Sequence, residues 1–209
     1  MPLKLPDWLK FPLVLFVVAS LSAASLAALY WLTQPKKIAM QQKITESALK
    51  IVMPDADVFE VKNAKMDDHD FQYRVAKKGG ETIGYVATGH ASGYSSVLEV
   101  MVGVDNSFEI KGVKVLYQKE TPGLGDKVEE ILSKKTWGTI IAGTSPDETN
   151  LRSWFQAQFD GKQSPVKVDK EGGDIESITG ATISSRAVCN AVNRAVEDIK
   201  KAIHVKSHK

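Results

Sequence analysis

The segment Glu176-Ser177-Ile178-Thr179-Gly180-Ala181-Thr182-Ile183-Ser184-Ser185 gathers hydroxyl groups around a glycine, directly before a strongly amphipathic stretch. A helix start carries backbone N–H groups with no intrahelical partner and the positive end of the macrodipole, so it favours a phosphate. Gly180 and Ala181 have little or no side chain and let a bulky ligand come close to the backbone. Thr179, Thr182, Ser184 and Ser185 are the hydroxyls within reach of such a ligand. The rival reading is structural, because Ser and Thr are ordinary helix N-caps and a Gly-Ala-Thr turn before a helix is common.

Two further segments could approach a ligand. In Lys119-Glu120-Thr121-Pro122-Gly123-Leu124-Gly125, the proline and the glycines impose a tight turn whose backbone can lie close to a flat ring. Glu120 and Thr121 can supply polar contacts there, and Leu124 an apolar one; a plain strand-to-helix turn is the alternative. The other segment is Gly89-His90-Ala91-Ser92-Gly93-Tyr94-Ser95-Ser96, running into Val97 to Asp105. His90 reads as a polar loop residue, since nothing pairs it with a base. Tyr94 suits either a ring contact or a structural role.

In this order and spacing, over about Ile38 to Ile203, the three segments resemble the FMN-binding domain shared by the G subunit of Rnf complexes and the C subunit of the sodium-pumping quinone reductase. The first corresponds to that family's acidic-x-x-[ST]-G-A-T flavinylation motif, with Glu176 where Asp is usual. The Glu-Thr-Pro-Gly-Leu-Gly string is a hallmark of the family. The Gly-Tyr segment leads into its Met-Val-Gly-Val-Asp strand, with Ser95-Ser96 where Gly-Gly is frequent. The Gly-Tyr-Ser-Ser strand and the Lys-Lys-rich helix after the apolar N-terminal anchor are more similar to the Rnf protein.

The resemblance implies FMN attached covalently, as a phosphoester of Thr182, with Thr179, Gly180, Ala181, Ser184 and Ser185 around the attachment point. It also places the loop containing Glu120, Thr121, Gly123, Leu124 and Gly125, together with Tyr94, near the isoalloxazine. The implied function is an electron-carrying component of a membrane-bound, ion-translocating ferredoxin:NAD⁺ oxidoreductase. Its implied partners are the other Rnf-type membrane subunits, membrane lipid, and a flavin transferase that uses FAD for maturation. Three rivals remain: a membrane-anchored flavin-binding sensor or assembly factor, the homologous quinone-reductase protein, and an anchored scaffold in which Thr182 is only a cap.

Composition is consistent with a redox role that depends on an organic cofactor. Among 209 residues the net charge is +2, and no basic stripe indicates nucleic acid. A single cysteine, Cys189, excludes an internal disulfide, a Cys-ligated iron–sulfur cluster and a C-x-x-C-H haem site. No G-x-G-x-x-G dinucleotide fingerprint is present. Asp67-Asp68-His69-Asp70 reads as a solvated turn, because consecutive residues rarely converge on one ion.

The elements that must position the site begin with an anchor. No charge falls between Lys10 and Lys36, and Pro12 to Leu32 reads as one apolar helix of roughly 31 Å, enough to span a bilayer. Tyr30 and Trp31 stand where interfacial aromatics would. A cleaved signal peptide is the rival, but its apolar region usually runs only about 7–15 residues. Lys4 and Lys10 against Lys36, Lys37 and Lys43 leave the positive-inside rule nearly tied. The resemblance implies a cell (inner) membrane protein with a cytoplasmic N-terminus and its domain on the periplasmic or extracellular side.

The expected organisation is a tail at 1–11, the anchor at 12–32, a connecting helix at 33–54, the FMN-binding domain at 55–203 and a tail at 204–209. Strands are expected at Phe71 to Ala76, Thr82 to Gly89, Val97 to Val104 and Phe108 to Tyr117, with turns at Lys78-Gly79-Gly80 and Asp105-Asn106. Asp126 to Lys134 and Leu151 to Phe159 read as helical, and Thr144 to Thr149 as a loop. Ala187, Val188, Ala191, Val192, Ala195, Val196 and Ile199 form the apolar stripe of the last helix. The fold class is α+β: an antiparallel twisted sheet packed with helices, preceded by a single transmembrane helix.

Overall fold

The computed structural model describes residues 6–65, 70–130 and 153–207. The chain divides into two compact units, residues 1–44 and 45–209. Helix α1 spans Asp7–Val52; it makes up the described part of the first unit and lends its last turns to the second. The expected anchor and connecting helix are therefore one element. Pro35, which suggests a break, sits inside it together with Pro12. Its 46 residues extend about 69 Å, more than twice a hydrocarbon core.

None of the most apolar window of α1 is buried in the protein. Phe11, Leu15, Leu26 and Trp31 all point outward. Two polar side chains along this stretch are satisfied locally. Ser25 Oγ donates to the Leu21 carbonyl at 2.8 Å and Thr33 Oγ1 to the Leu29 carbonyl at 2.8 Å. A helix that returns its hydroxyl protons to its own carbonyls needs no water, as a hydrocarbon environment requires.

The second unit is built on five antiparallel strands in sequential order: β1 Val58–Lys65, β2 Asp70–Lys78, β3 Glu81–Ser92, β4 Val97–Asp105 and β5 Ile110–Tyr117. β1 is not expected from the sequence, and β3 runs further than expected. Ala91 and Ser92 pair with Leu98 and Val97, so His90 lies in a strand opposite Glu99 rather than in a loop. The expected helix at Leu151 to Phe159 is a single turn, α2, Trp154–Ala157. The start of the expected Asp126 helix is a 3₁₀ turn, Gly125–Glu129, and its remainder lies outside the described residues. The Thr144 to Thr149 loop and Asp67 to His69 also lie outside them, while Asp70 opens β2.

Helix α3, Thr182–Ser207, covers one sheet face. Its stripe from Ala187 to Ile199 is buried against β3 and β4, in one core with Ala87, Ala91, Val100 and Val102. The other face is partly covered by the end of α1, where Ala48, Leu49 and Val52 meet Ala76, Val86 and Met101. Burial on both faces explains why β4 is buried almost continuously instead of alternating. Each fully buried Val or Ile here contributes about 1.5–3 kcal/mol. Two glycines allow the helices to approach. A Cβ on Gly89 would run into the Ala191 carbonyl oxygen, and one on Gly103 into the Val52 carbonyl oxygen.

Candidate functional site

Antiparallel pairing brings the β3–β4 turn and the exit of β5 to the same end of the sheet, since Glu99 pairs with both His90 and Tyr117. The β3–β4 turn is closed by Gly93 N–H donating to the Ser96 carbonyl at 2.8 Å. Its successive N–H groups point inward as an anion-binding nest. The anion is supplied by the chain itself. Glu120 Oε2 accepts the N–H of Tyr94 at 2.9 Å, and Oε1 accepts the N–H groups of Ser95 and Ser96 at 3.1 and 3.0 Å. Ser96 Oγ donates to Oε1 at 2.9 Å, and Ser184 Oγ, from the first turn of α3, donates to Oε2 at 2.6 Å.

Glu120 thus ties the turn, the post-β5 loop and the start of α3 together while only 6% exposed. Desolvation alone would raise its pKa. The bonds from Ser184, Tyr94, Ser96 and Ser95 outweigh that effect and hold the carboxyl below its ordinary value, so it is ionised at neutral pH. Its lone pairs are taken up by protein donors, which makes it a clamp rather than the free polar contact expected from the sequence. Gly125 is required beside it, since a Cβ there would meet Ser184 Oγ at 2.6 Å and Glu120 Cβ at 2.7 Å.

The first turn of α3 separates the candidate hydroxyls. The Ala181 carbonyl accepts the first helical bond, from Ser185 N–H at 3.0 Å, so Ala181 holds the capping position and Thr182 lies inside the helix. Ala is a poor cap and offers the open N–H groups no side-chain acceptor. Ser185 is fully buried; its Oγ donates to the Ala181 carbonyl and accepts Ile178 N–H, both at 3.0 Å. Ser185 locks the motif onto the helix and does not line the cavity. Ser184 lines it, but its hydroxyl is committed to Glu120. Thr179 is outside the wall, and Gly180, at φ 80°, makes the turn between Thr179 and the cap.

Thr182 Oγ1 accepts a hydrogen bond from Lys170 Nζ at 2.9 Å. Lys170 stands on a 3₁₀ turn, Asp169–Glu171, held by Asp169 N–H to the Ile175 carbonyl at 2.7 Å and by the Glu171–Arg186 ion pair at 2.5 Å. Nothing in the sequence distinguishes Lys170 from the charged residues around it, so sequence reasoning does not reach it. Ile183 escapes it as well.

Together these residues enclose a cavity of about 550 Å³, within the range of small-molecule sites. Its polar end is Lys170, Thr182 and Ser184, and Tyr94, Leu124 and Ile183 form an apolar side. These three remain 71%, 43% and 47% exposed, which is unusual for large apolar side chains grouped at one opening. Glu120, Thr121, Gly125, Gly180 and Ala181 complete the wall. Gly123 is not part of it; at φ 77° it turns the loop toward solvent. Cys189 is buried on α3. Burial, then the charge of Glu171, pushes its thiol up to about 12, so it is no reactive thiolate.

Residues 93–197 match the family described as FMN-binding domain. The chain is 30% identical over 189 residues to the G subunit of the proton-translocating ferredoxin:NAD(+) oxidoreductase complex of Clostridium ljungdahlii, covering 88% of each. It is 30% identical over 209 residues to the G subunit of the Na(+)-translocating ferredoxin:NAD(+) oxidoreductase complex of Acetobacterium woodii, covering 91% of this chain and 92% of that one. Against the G subunit of the ion-translocating oxidoreductase complex of Aliivibrio fischeri, identity is 32% over 198 residues, covering 90% and 88%. The crystal structure of Shewanella oneidensis NqrC aligns with a TM-score of 0.44 at 22% identity, covering 68% of this chain and 66% of that one.

Proposed function

Because the chain belongs to the FMN-binding domain family, among the G subunits of ion-translocating oxidoreductase complexes, we propose that it carries electrons in a membrane-bound ferredoxin:NAD⁺ oxidoreductase, through an FMN esterified to Thr182. The observation that carries the attachment is the sorting of hydroxyls in the first turn of α3. Ser184 and Ser185 are committed to protein acceptors, while Thr182 Oγ1 stands at the cavity wall beside a lysine ammonium.

The residues present fit the group. Lys170 and the N-terminal turn of α3 suit a phosphate, and the exposed Tyr94, Leu124 and Ile183 suit the isoalloxazine. FMN, when bound, supplies reversible electron transfer, and the protein sets its surroundings. Glu120 holds the three wall segments in register. Its carboxylate is still an anion at the cavity wall, but its oxygens are saturated by donors within the protein and are not free to engage the cofactor. A phosphoester keeps the flavin on a domain outside the cytoplasm, where free FMN is not readily replenished.

The protein is a single-pass membrane protein in this reading, with a cytoplasmic N-terminus, its domain on the outer side, and the other proteins of the complex as partners. A separate flavin transferase installs the FMN. The names of the relatives differ on the translocated ion, proton in one and sodium in another. The test is electron flow in membranes supplied with reduced ferredoxin. A Thr182→Val complex that assembles normally loses NAD⁺ reduction. Wild-type turnover by that assembled complex would remove the carrier role and leave the sensor reading.

A further inference from the structure

We propose that Lys170 is the positioning residue for flavinylation, presenting the Thr182 hydroxyl to the incoming phosphate and balancing the charge that develops on it. This rests on the reading of Thr182 as the attachment residue. A lysine ammonium has donors and no acceptor, so in the 2.9 Å contact Thr182 Oγ1 must be the acceptor. The hydroxyl's own hydrogen is then directed elsewhere, and a lone pair is fixed at the cavity wall.

Ser185 shows the other fate of a hydroxyl in this turn. Inside a helix a hydroxyl can return to the carbonyl four residues back, whereas Thr182, the first helical residue, has no helical carbonyl behind it. Ser185 makes that return bond, to Ala181 at 3.0 Å, and its oxygen is buried. Thr182, three residues earlier, is instead turned to Lys170 and lines the cavity. The lysine is itself placed by the 3₁₀ turn Asp169–Glu171. Glu171 is engaged by Arg186, and Asp169 accepts Ser177 N–H at 3.1 Å. The motif and the lysine are therefore anchored to one another through both neighbours of Lys170.

The step balances with a flavin dinucleotide as donor. The Thr182 Oγ–P bond forms, the P–O bond to the adenylate half breaks, AMP leaves with the bonding pair, and the hydroxyl proton passes to a base on the transferase. Lys170 acts as a hydrogen-bond donor and not as the base. Its ammonium stabilises the oxygen as it loses hydrogen and remains beside the anionic phosphodiester afterwards.

The experiment uses the full chain in detergent, purified without flavin, with a purified flavin transferase, FAD and magnesium. Adduct formation is followed by intact mass and in-gel flavin fluorescence. Lys170→Ala should slow modification by roughly 10- to 100-fold, the factor of one charged hydrogen bond, with circular dichroism and the thermal midpoint close to wild type. Added ethylammonium should recover part of the rate in Lys170→Ala and none in wild type, a response that loss of a structural contact would not give. Modification of Lys170→Ala at the wild-type rate, or a slow rate unmoved by ethylammonium, overturns the role of Lys170. An adduct persisting in Thr182→Val overturns instead the attachment reading beneath it.

Discussion

Ser184 and Glu120, separated by 64 positions in the chain, share a 2.6 Å hydrogen bond that joins the start of α3 to the loop after β5. The same carboxylate collects three consecutive N–H groups of the β3–β4 turn. One side chain therefore sets the relative positions of all three wall segments. Replacement of Glu120 by Gln keeps the shape but puts an amide NH₂ where one set of donors points. It should cost about 2–3 kcal/mol, the scale of lost charged hydrogen bonds with donors left facing a donor. The denaturant midpoint of the detergent-solubilised chain measures this.

Acid should weaken the same clamp. Burial would raise the Glu120 pKa, but the bonds from Ser184 and the turn lower it below its ordinary 4.5, so the folded state binds a proton less readily than the unfolded chain. The resulting stability is fully present above the ordinary value and is lost as pH falls through the lowered folded value. Wild type minus Glu120→Gln should give a stability difference that is flat near neutrality and shrinks below about pH 4.5. A difference that stays constant through this acid range would contradict the clamp.

Two glycines of one loop should behave differently. Gly125→Ala places a methyl against Ser184 Oγ and Glu120 Cβ. It should destabilise by about 1–3 kcal/mol, as overpacking does, and reduce flavin loading as the wall segments separate. Gly123→Ala meets nothing within 4 Å and should cost only the strain of φ 77°, on the order of 1 kcal/mol, with loading kept. Equal loss of loading in both variants would mean that loop conformation, rather than the Glu120 contact, shapes the cavity.

Much of this is legible in the sequence. The stripe from Ala187 to Ile199 repeats with helical spacing and is buried throughout, and Lys78-Gly79-Gly80 and Asp105-Asn106 mark true turns. The three segments singled out by composition do meet, because β4 and β5 deliver two of them to the end where α3 begins. β1 is hidden by its position at the sheet edge, where Val58-Phe59-Glu60-Val61-Lys62 alternates weakly and stays largely exposed. The end of β3, His90 to Ser92, lies beyond the strand expected from the sequence because no apolar alternation marks it, and Gly89 before it is the residue whose missing Cβ lets α3 approach. Pro35 suggests a break that the helix absorbs. Lys170 and the Glu120–Ser184 bond depend on long-range placement and leave no local pattern.

Sidedness follows from the proposed membrane arrangement. The domain from about residue 55 should be digested by protease added to intact cells or right-side-out vesicles, with the helix retained in the membrane. Protection in these vesicles and digestion only after inversion would place the domain on the cytoplasmic side.

The most direct measurement is the intact mass of the chain after co-expression with a flavin transferase, compared with Thr182→Val and Thr179→Val. Thr182 lines the cavity beside Lys170, whereas Thr179 lies outside the wall. Wild type and Thr179→Val should each carry one FMN phosphoester, and Thr182→Val should be folded and unmodified. An FMN adduct on Thr182→Val, or its loss only in Thr179→Val, would contradict attachment at Thr182.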